Sequence, residues 1–344
     1  MSADPASAGP VGTDLLTEDR GLRLVRITAG LLCAFGAIVM VVAFFRYLTV
    51  FPGATVLAIV LQLPLLLVGF VLLRLLRPVR SPPLLWAAAA TTWGGTAAIG
   101  CALLANQGLA ALWAKTAGPA FASNWSNSLS APLNEEALKL CGVIMVVLAA
   151  PGLIKGPLDG MIFGALTGLG FQVVENVTYG LDNIVQSGAT DPTQAVTSSW
   201  LLRLATAVGS HWAMTAVAGT GIGYLVARGL SRSNVIVALG YLASAMAMHL
   251  LFDAPHPAIG VKVTVNVVIV GVLYITLNDT YLTRARGVLA RLADQHQITG
   301  EESVHLLKRG YRRWQLRGAS SDAERARRLA RQRAILERVE EEAA

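Results

Sequence analysis

Asn134-Glu135-Glu136-Ala137-Leu138-Lys139 is followed by a run from Leu140 to Ala150 made almost entirely of Leu, Val, Ile, Ala and Met. Three ionisable side chains therefore stand at the mouth of a helix apolar enough to cross a membrane. Each charge inside such a span costs roughly +2.5 to +3.5 kcal/mol on insertion scales, and charges are kept there mainly where they act. Adjacent carboxylates are worse, because neighbouring like charges resist ionising together. Lys139 lies four residues beyond Glu135 and three beyond Glu136, on the same helical face, where it offsets part of their charge. The remaining membrane helices are expected to bring partners to this pair.

The rest of the chain agrees with a membrane setting. Of its 344 residues, 54% are hydrophobic and 14% are charged, whereas soluble domains carry about 25% charged residues. The formal net charge is +7, but half of the 28 Lys and Arg residues follow the last apolar segment and most others fall in short loops. That distribution is the positive-inside pattern of a polytopic protein, so no nucleic-acid partner is expected. Cys33, Cys101 and Cys141 are isolated within apolar runs and have neither disulfide-framework nor zinc-ribbon spacing.

The expected fold is an all-α, polytopic transmembrane helix bundle with about eight spans, both termini cytoplasmic, in a cell membrane. Segments long enough to cross ~30 Å of hydrocarbon lie near 26–45, 52–73, 84–105, 130–150, 158–180, 203–227, 233–254 and 258–278. Arg74, Arg77 and Arg80, then Lys155, then Arg228 and Arg232, and finally the basic tail all fall on one side of that arrangement. Residues 1–22 are polar and rich in Ala, Ser, Pro and Gly, and are expected to be disordered. The transmembrane domain covers 23–280, with its chemistry in about 130–280. The loop from about 106 to 129 carries Trp113 and Trp125 and reads as partly interfacial helix. The tail, 281–344, reads as a charged amphipathic helical segment near anionic lipid headgroups.

Within the apolar runs the ionisable residues group. Beside Glu135, Glu136 and Lys139 stand Glu175 with Asn176, then His211, then His249 with Asp253. At ~1.5 Å per residue, Glu136 lies ~9 Å below the outer interface, Glu175 ~6 Å, His211 ~12 Å and His249 ~7 Å. Four segments thus carry acid and imidazole groups to similar depth. Gly160, Gly164, Gly168, Phe171 and Glu175 share one helical face, and a glycine stripe allows close helix contact, so Glu175 should point into the bundle. Asp253, four residues after His249, can orient its imidazole.

Such a set suits several tasks. It could bind a divalent metal that acidifies water, with His and Glu as ligands and a second Glu as base. It could activate water directly by general acid–base catalysis, or carry protons or cations. Plainer roles exist as well. Glu135 and Glu136 could cap a helix N-terminus, Lys139 could be a structural counter-ion, and Glu175 with Asn176 could mark an interfacial stop. His211 and His249 could be satisfied core histidines, and Asp253, before Ala254-Pro255, could end its helix.

These residues resemble a known family. Glu135-Glu136-x-x-Lys139 looks like the EExxK motif of the PrsW family of intramembrane proteases, and Phe171-x-x-x-Glu175-Asn176 like its FxxxEN motif. His211 and His249-x-x-x-Asp253 are similar to its later histidine motifs, in the same order. The resemblance covers roughly 130–280. It implies a membrane-embedded peptidase, distantly similar to type II CAAX prenyl endopeptidases. Those relatives read EExxxR and FxxxH, so Lys139 and Glu175 depart from them, which argues against a prenylated substrate.

The resemblance further implies a single-pass membrane substrate, an anti-sigma factor cut on its extracytoplasmic side in regulated signalling. In the roles that follow, Glu135 or Glu136 activates water. Glu175, His211 and His249 hold a divalent metal, zinc being the expected ion, or the transition-state oxyanion. Lys139, Asn176 and Asp253 support them from behind. Two rival readings are a proton- or ion-coupled transporter, which would show inverted repeats and broken helices, and a non-catalytic scaffold or immunity protein.

Overall fold

A computed structural model of the chain describes residues 11–343. Every regular element among them is helical. In order these are α1 (Val11–Val50), α2 (Pro52–Leu75), α3 (Leu84–Trp93), a π turn (Gly94–Ala98), α4 (Ile99–Thr116), α5 (Pro119–Ala149) and α6 (Pro157–Gln186). They are followed by α7 (Pro192–Thr206), a 3-10 turn (Ala207–Gly209), α8 (His211–Arg228), α9 (Arg232–Asp253) and α10 (Ile259–Asp294). The chain ends with α11 (Gly300–His305), α12 (Arg309–Arg317) and α13 (Asp322–Ala343). Of the N-terminal stretch expected to lack structure, residues 1–10 lie outside the described residues and the helix begins at Val11.

Six helical stretches are long and apolar enough to cross a membrane: Arg20–Val50, Pro52–Leu75, Leu84–Thr116, Pro157–Gln186, Arg232–Asp253 and Ile259–Asp294. The chain is a membrane protein. Large apolar side chains on α1, α2 and α10, among them Val42, Leu67 and Ile275, stand exposed, as a surface facing lipid requires. Neither α5 nor α8 is in that set. The first half of α5 is polar and its middle carries Glu135, Glu136 and Lys139, while α8 has 18 residues rich in Gly, Ala and Thr.

Around α6 the rest of the bundle is arranged. It is buried along most of its length, as a helix apolar on all sides must be. Its glycine stripe lies against the backbone of α8: a Cβ on Gly164 would run into the carbonyl oxygen of Thr215, and one on Gly168 into that of His211. On the opposite side, α3 and the π turn approach as closely, for a Cβ on Gly170 would meet the carbonyl oxygen of Thr91. Small residues substitute for hydrophobic driving force here, since lipid is as apolar as the helices.

Two boundaries differ from the sequence reading. The segment from 106 to 129, read as a loop with partly interfacial helix, is helical on both sides of a single turn and forms a hairpin. α4 continues to Thr116, and the chain reverses at Gly118, whose φ of 93° suits glycine, with Pro119 starting α5. The expected sixth segment is broken at Ala207–Ser210. Three side chains hold that break in place: Asn266 donates to Gly209 O at 2.8 Å, Trp212 to Ala207 O at 2.8 Å and Gln172 to Ala207 O at 3.3 Å. The freed carbonyls of the interrupted helix are thereby satisfied inside the protein.

The tail packs on one end of the bundle. Arg77, in the turn after α2, pairs at 2.6 Å with Asp159 at the start of α6 and at 2.6 Å with Glu340 of α13. Tyr281 donates to Glu340 at 2.6 Å. Tail and bundle thus share a buried network, and α10 runs straight through the expected boundary at 280.

Candidate active site

α5, α6, α8 and α9 each deliver part of one cluster. From α5, Glu135, Glu136 and Lys139 all point inward and are buried. Pro132 lies one turn before them and cannot donate its own helix bond, so the helix ladder is interrupted where the acidic turn begins. The break before α8 makes His211 the first residue of that helix, beside the α6 face that carries Phe171 and Glu175. His249 comes from the last turns of α9, its ring edge-on to that of His211 with centroids 4.9 Å apart.

Glu136 is fully engaged. Its Oε1 accepts from Lys139 Nζ at 2.6 Å and lies 3.0 Å from His249 Nδ1, while Oε2 accepts from Thr215 Oγ1 at 3.0 Å. Glu135 is held more loosely: Asn106 Nδ2 donates to its Oε1 at 2.9 Å and Lys139 Nζ, at longer range, to its Oε2. Its Oε2 faces the centre of the cluster, 3.5 Å from Lys139 Nζ, 3.9 Å from His211 Nδ1 and 3.7 Å from His249 Nε2. Glu175 Oε2 is 2.6 Å from His211 Nε2. Lys139 Nζ also lies 3.0 Å from His211 Nδ1 and 4.2 Å above the Phe171 ring.

Each histidine therefore has one nitrogen held by a glutamate and the other turned toward Glu135. For His211 the holder is Glu175; for His249 it is Glu136. Metal-ligating histidines are oriented in this way, the second ring nitrogen fixed by a carboxylate. Donor atoms of Glu135, His211 and His249 lie within 4.8 Å of one another, a set that could hold a metal ion. His249 Nε2 is buried without a hydrogen bond, 3.4 Å from Asp253 Oδ2. An imidazole nitrogen left so, with two carboxylates in reach, fits the donor set of a divalent ion.

A groove lies beside the cluster. Its volume is about 580 Å³, and it is lined by Tyr179, Asn183, Ser198, Arg203 and Phe252 together with Asp253, which ties it to the cluster. The Arg203 guanidinium stacks on the Tyr179 ring at 3.3 Å.

Residues 82–277 match the family model described as PrsW family intramembrane metalloprotease. That stretch is more than half of the chain and contains every residue of the cluster. The protein belongs to the PrsW family. Neither the curated proteins nor the solved structures compared with it gave a match.

PrsW membership makes the chain an intramembrane protease, and the cluster is where its chemistry can be sought. Of the residues singled out in the sequence, Glu135, Glu136, Lys139, Glu175, His211, His249 and Asp253 lie together. Asn176 does not join them; its amide donates to Gln62 of α2 at 3.1 Å. The metal-competent triad has Glu135 where the sequence reading set Glu175, because Glu175 sits behind His211, on its far nitrogen. Asn106 went unrecognised because the hairpin that carries it read as a loop. Thr215, which donates to Glu136 Oε2, gives no sign of this in the sequence, since a threonine hydroxyl at helical spacing does not reveal an acid partner.

Proposed function

We propose that this PrsW protein hydrolyses a peptide bond in a membrane-anchored protein, near the extracytoplasmic face, using the Glu135–Glu136–Glu175–His211–His249 cluster as the site. An eight-span bundle with both termini cytoplasmic goes with this reading, α5 and α8 crossing the membrane as shielded inner helices. The observation that carries it is the paired arrangement of the histidines, each fixed by one glutamate and facing a third. A scaffold needs no such convergence of buried acid and base.

A divalent ion held by Glu135, His211 and His249, zinc suiting these donors, would polarise the scissile carbonyl and lower the pKa of water. Glu136 anchors the site, both of its oxygens being engaged by Lys139, His249 and Thr215. Glu175, the least buried of the three glutamates, lies on the far nitrogen of His211 and steadies that ring. Asp253, at the groove, brings a second carboxylate within 3.4 Å of His249 Nε2. The groove admits a locally unwound stretch of substrate, whose backbone groups would otherwise stay unsatisfied in lipid, and its Asn, Ser and Arg side chains offer partners. Substrates of this kind include single-pass anti-sigma factors, whose cleavage would release a signalling response.

A second reading keeps the residues and omits the ion. It is favoured by the Lys139 ammonium, which donates to His211 Nδ1 and so occupies the lone pair a metal would use. In that case Glu135, oriented by Asn106, is the general base, and the carboxylic acid it becomes returns the proton to the leaving amine.

Co-expression with an epitope-tagged single-pass anti-sigma factor tests the shared claim. Cleavage is expected with the wild type and lost with Glu136→Gln and with His211→Ala. Wild-type rates in both variants would sink the site assignment.

A further inference from the structure

A second feature lies at the far end of the bundle, outside the stretch matched to the family. Between α12, α13 and the turn after α2 is a cavity of about 400 Å³. Arg80, Arg309, Arg312, Arg313 and Arg333 line it, and no carboxylate does among the described residues. Arg309 donates to Arg77 O and, at 3.0 Å, to Ser81 Oγ. Arg312 donates to Val79 O at 2.8 Å and to Leu306 O at 2.7 Å. Those bonds fix both guanidinium groups without neutralising them. Arg80 has Glu337 only at 3.9 Å, both side chains being more than half exposed. Burial, then the neighbouring Arg313, holds Arg309 below the ordinary arginine pKa, and burial, then Arg309, does the same for Arg312. Like charges have thus been gathered at a cost to these two.

The remaining lining is apolar: Leu75, Val79, Leu316, Leu329 and Leu336. Leu75 is the last residue of α2, a candidate span, and is 50% exposed. The cavity therefore begins where a lipid-facing surface ends. Trp314 on α12 is 66% exposed nearby, and an amphipathic aromatic of that kind belongs at headgroup level.

We propose that this cavity binds the phosphate headgroup of an anionic phospholipid, with the lipid's apolar part lying along the end of α2. Five guanidinium groups recognise the phosphate through charge-assisted bonds. The leucines distinguish an amphiphile from free phosphate. Bound there, the lipid bridges bundle and tail.

Native mass spectrometry of the full-length protein, with phosphatidylglycerol or phosphatidylcholine of identical acyl chains added, tests this. Phosphatidylglycerol should be retained over phosphatidylcholine. Replacing Arg313→Gln and Arg333→Gln together should weaken that retention at least roughly tenfold, at about 1 kcal/mol per surface charge. The Lys pair at the same positions, which keeps the charge, should restore most of it and separates binding from misfolding. Arg228→Gln with Arg232→Gln should leave it unchanged. Equal retention of both lipids, equal loss in both Gln pairs, or displacement of phosphatidylglycerol by millimolar inorganic phosphate would overturn the proposal.

Discussion

His211 is engaged at both ring nitrogens, by Glu175 Oε2 at 2.6 Å and by Lys139 Nζ at 3.0 Å. A neutral ring satisfies both contacts with Nε2 carrying the proton and Nδ1 accepting from the ammonium. Replacing Glu136 by Gln leaves shape but removes the charge that Lys139, His249 and Thr215 converge on, and peptidase activity should fall by at least about a hundredfold. Thr215→Ala removes one donor to a buried carboxylate, worth about 1.5–3 kcal/mol. It should lower thermal stability in detergent while leaving cleavage measurable; unchanged stability would mean that the Thr215 bond contributes nothing. At this scale the sequence was informative where chemistry is rare. Acids and imidazoles in apolar runs stand out because burial is expensive, which exposed Glu135, Glu175, His211 and His249. Asn106 and Thr215 are common, uncharged residues, and only contact reveals them.

Among the elements, α6 and α8 set how close the site residues come. Gly164→Ala places a methyl against the Thr215 carbonyl, and since backbone cannot yield as a side chain does, overpacking of about 1–3 kcal/mol is expected. A lowered unfolding midpoint in detergent, with cleavage reduced in parallel, would follow; an unchanged midpoint would contradict the close α6–α8 approach. The glycine stripe was legible as a spacing of four. The break at Ala207–Ser210 was not, because nothing in Thr206-Ala207-Val208-Gly209-Ser210 is incompatible with helix, and the carbonyls freed there are capped by Asn266, Gln172 and Trp212 from elsewhere. At the start of α13, Glu324 accepts from the side chain and the backbone N–H of Ser320 and pairs with Arg328. Those bonds, the Ser320 hydroxyl first, lower its pKa to about 2. Their contribution is therefore present above the ordinary carboxylate range and lost as pH falls through about 2. Carboxyl carbon NMR should show that midpoint, and one near 4.5 would mean the cap does not form in solution.

For the whole molecule, the tail is tied to the bundle through Arg77, whose side chain is 2% exposed and pairs with Asp159 and Glu340. Removing one partner of a buried pair costs about 3–5 kcal/mol. Arg77→Gln should therefore release α13, seen as faster proteolysis after residue 294, and protection equal to wild type would show the network to be dispensable. The membrane class was legible from composition and hydropathy, yet the docking of the tail was not, since Glu340 and Arg77 are 263 residues apart and each reads as an ordinary charged residue. The central claim is that Glu135, His211 and His249 form one metal-binding hydrolytic site. Metal content of the purified protein, measured beside its cleavage activity before and after chelation, tests it most directly. About one divalent ion per chain is predicted, absent in His211→Ala and His249→Ala, with activity lost on chelation and regained on adding the ion back. Full cleavage by chelated, metal-free protein, or an ion retained by both histidine variants, would contradict it.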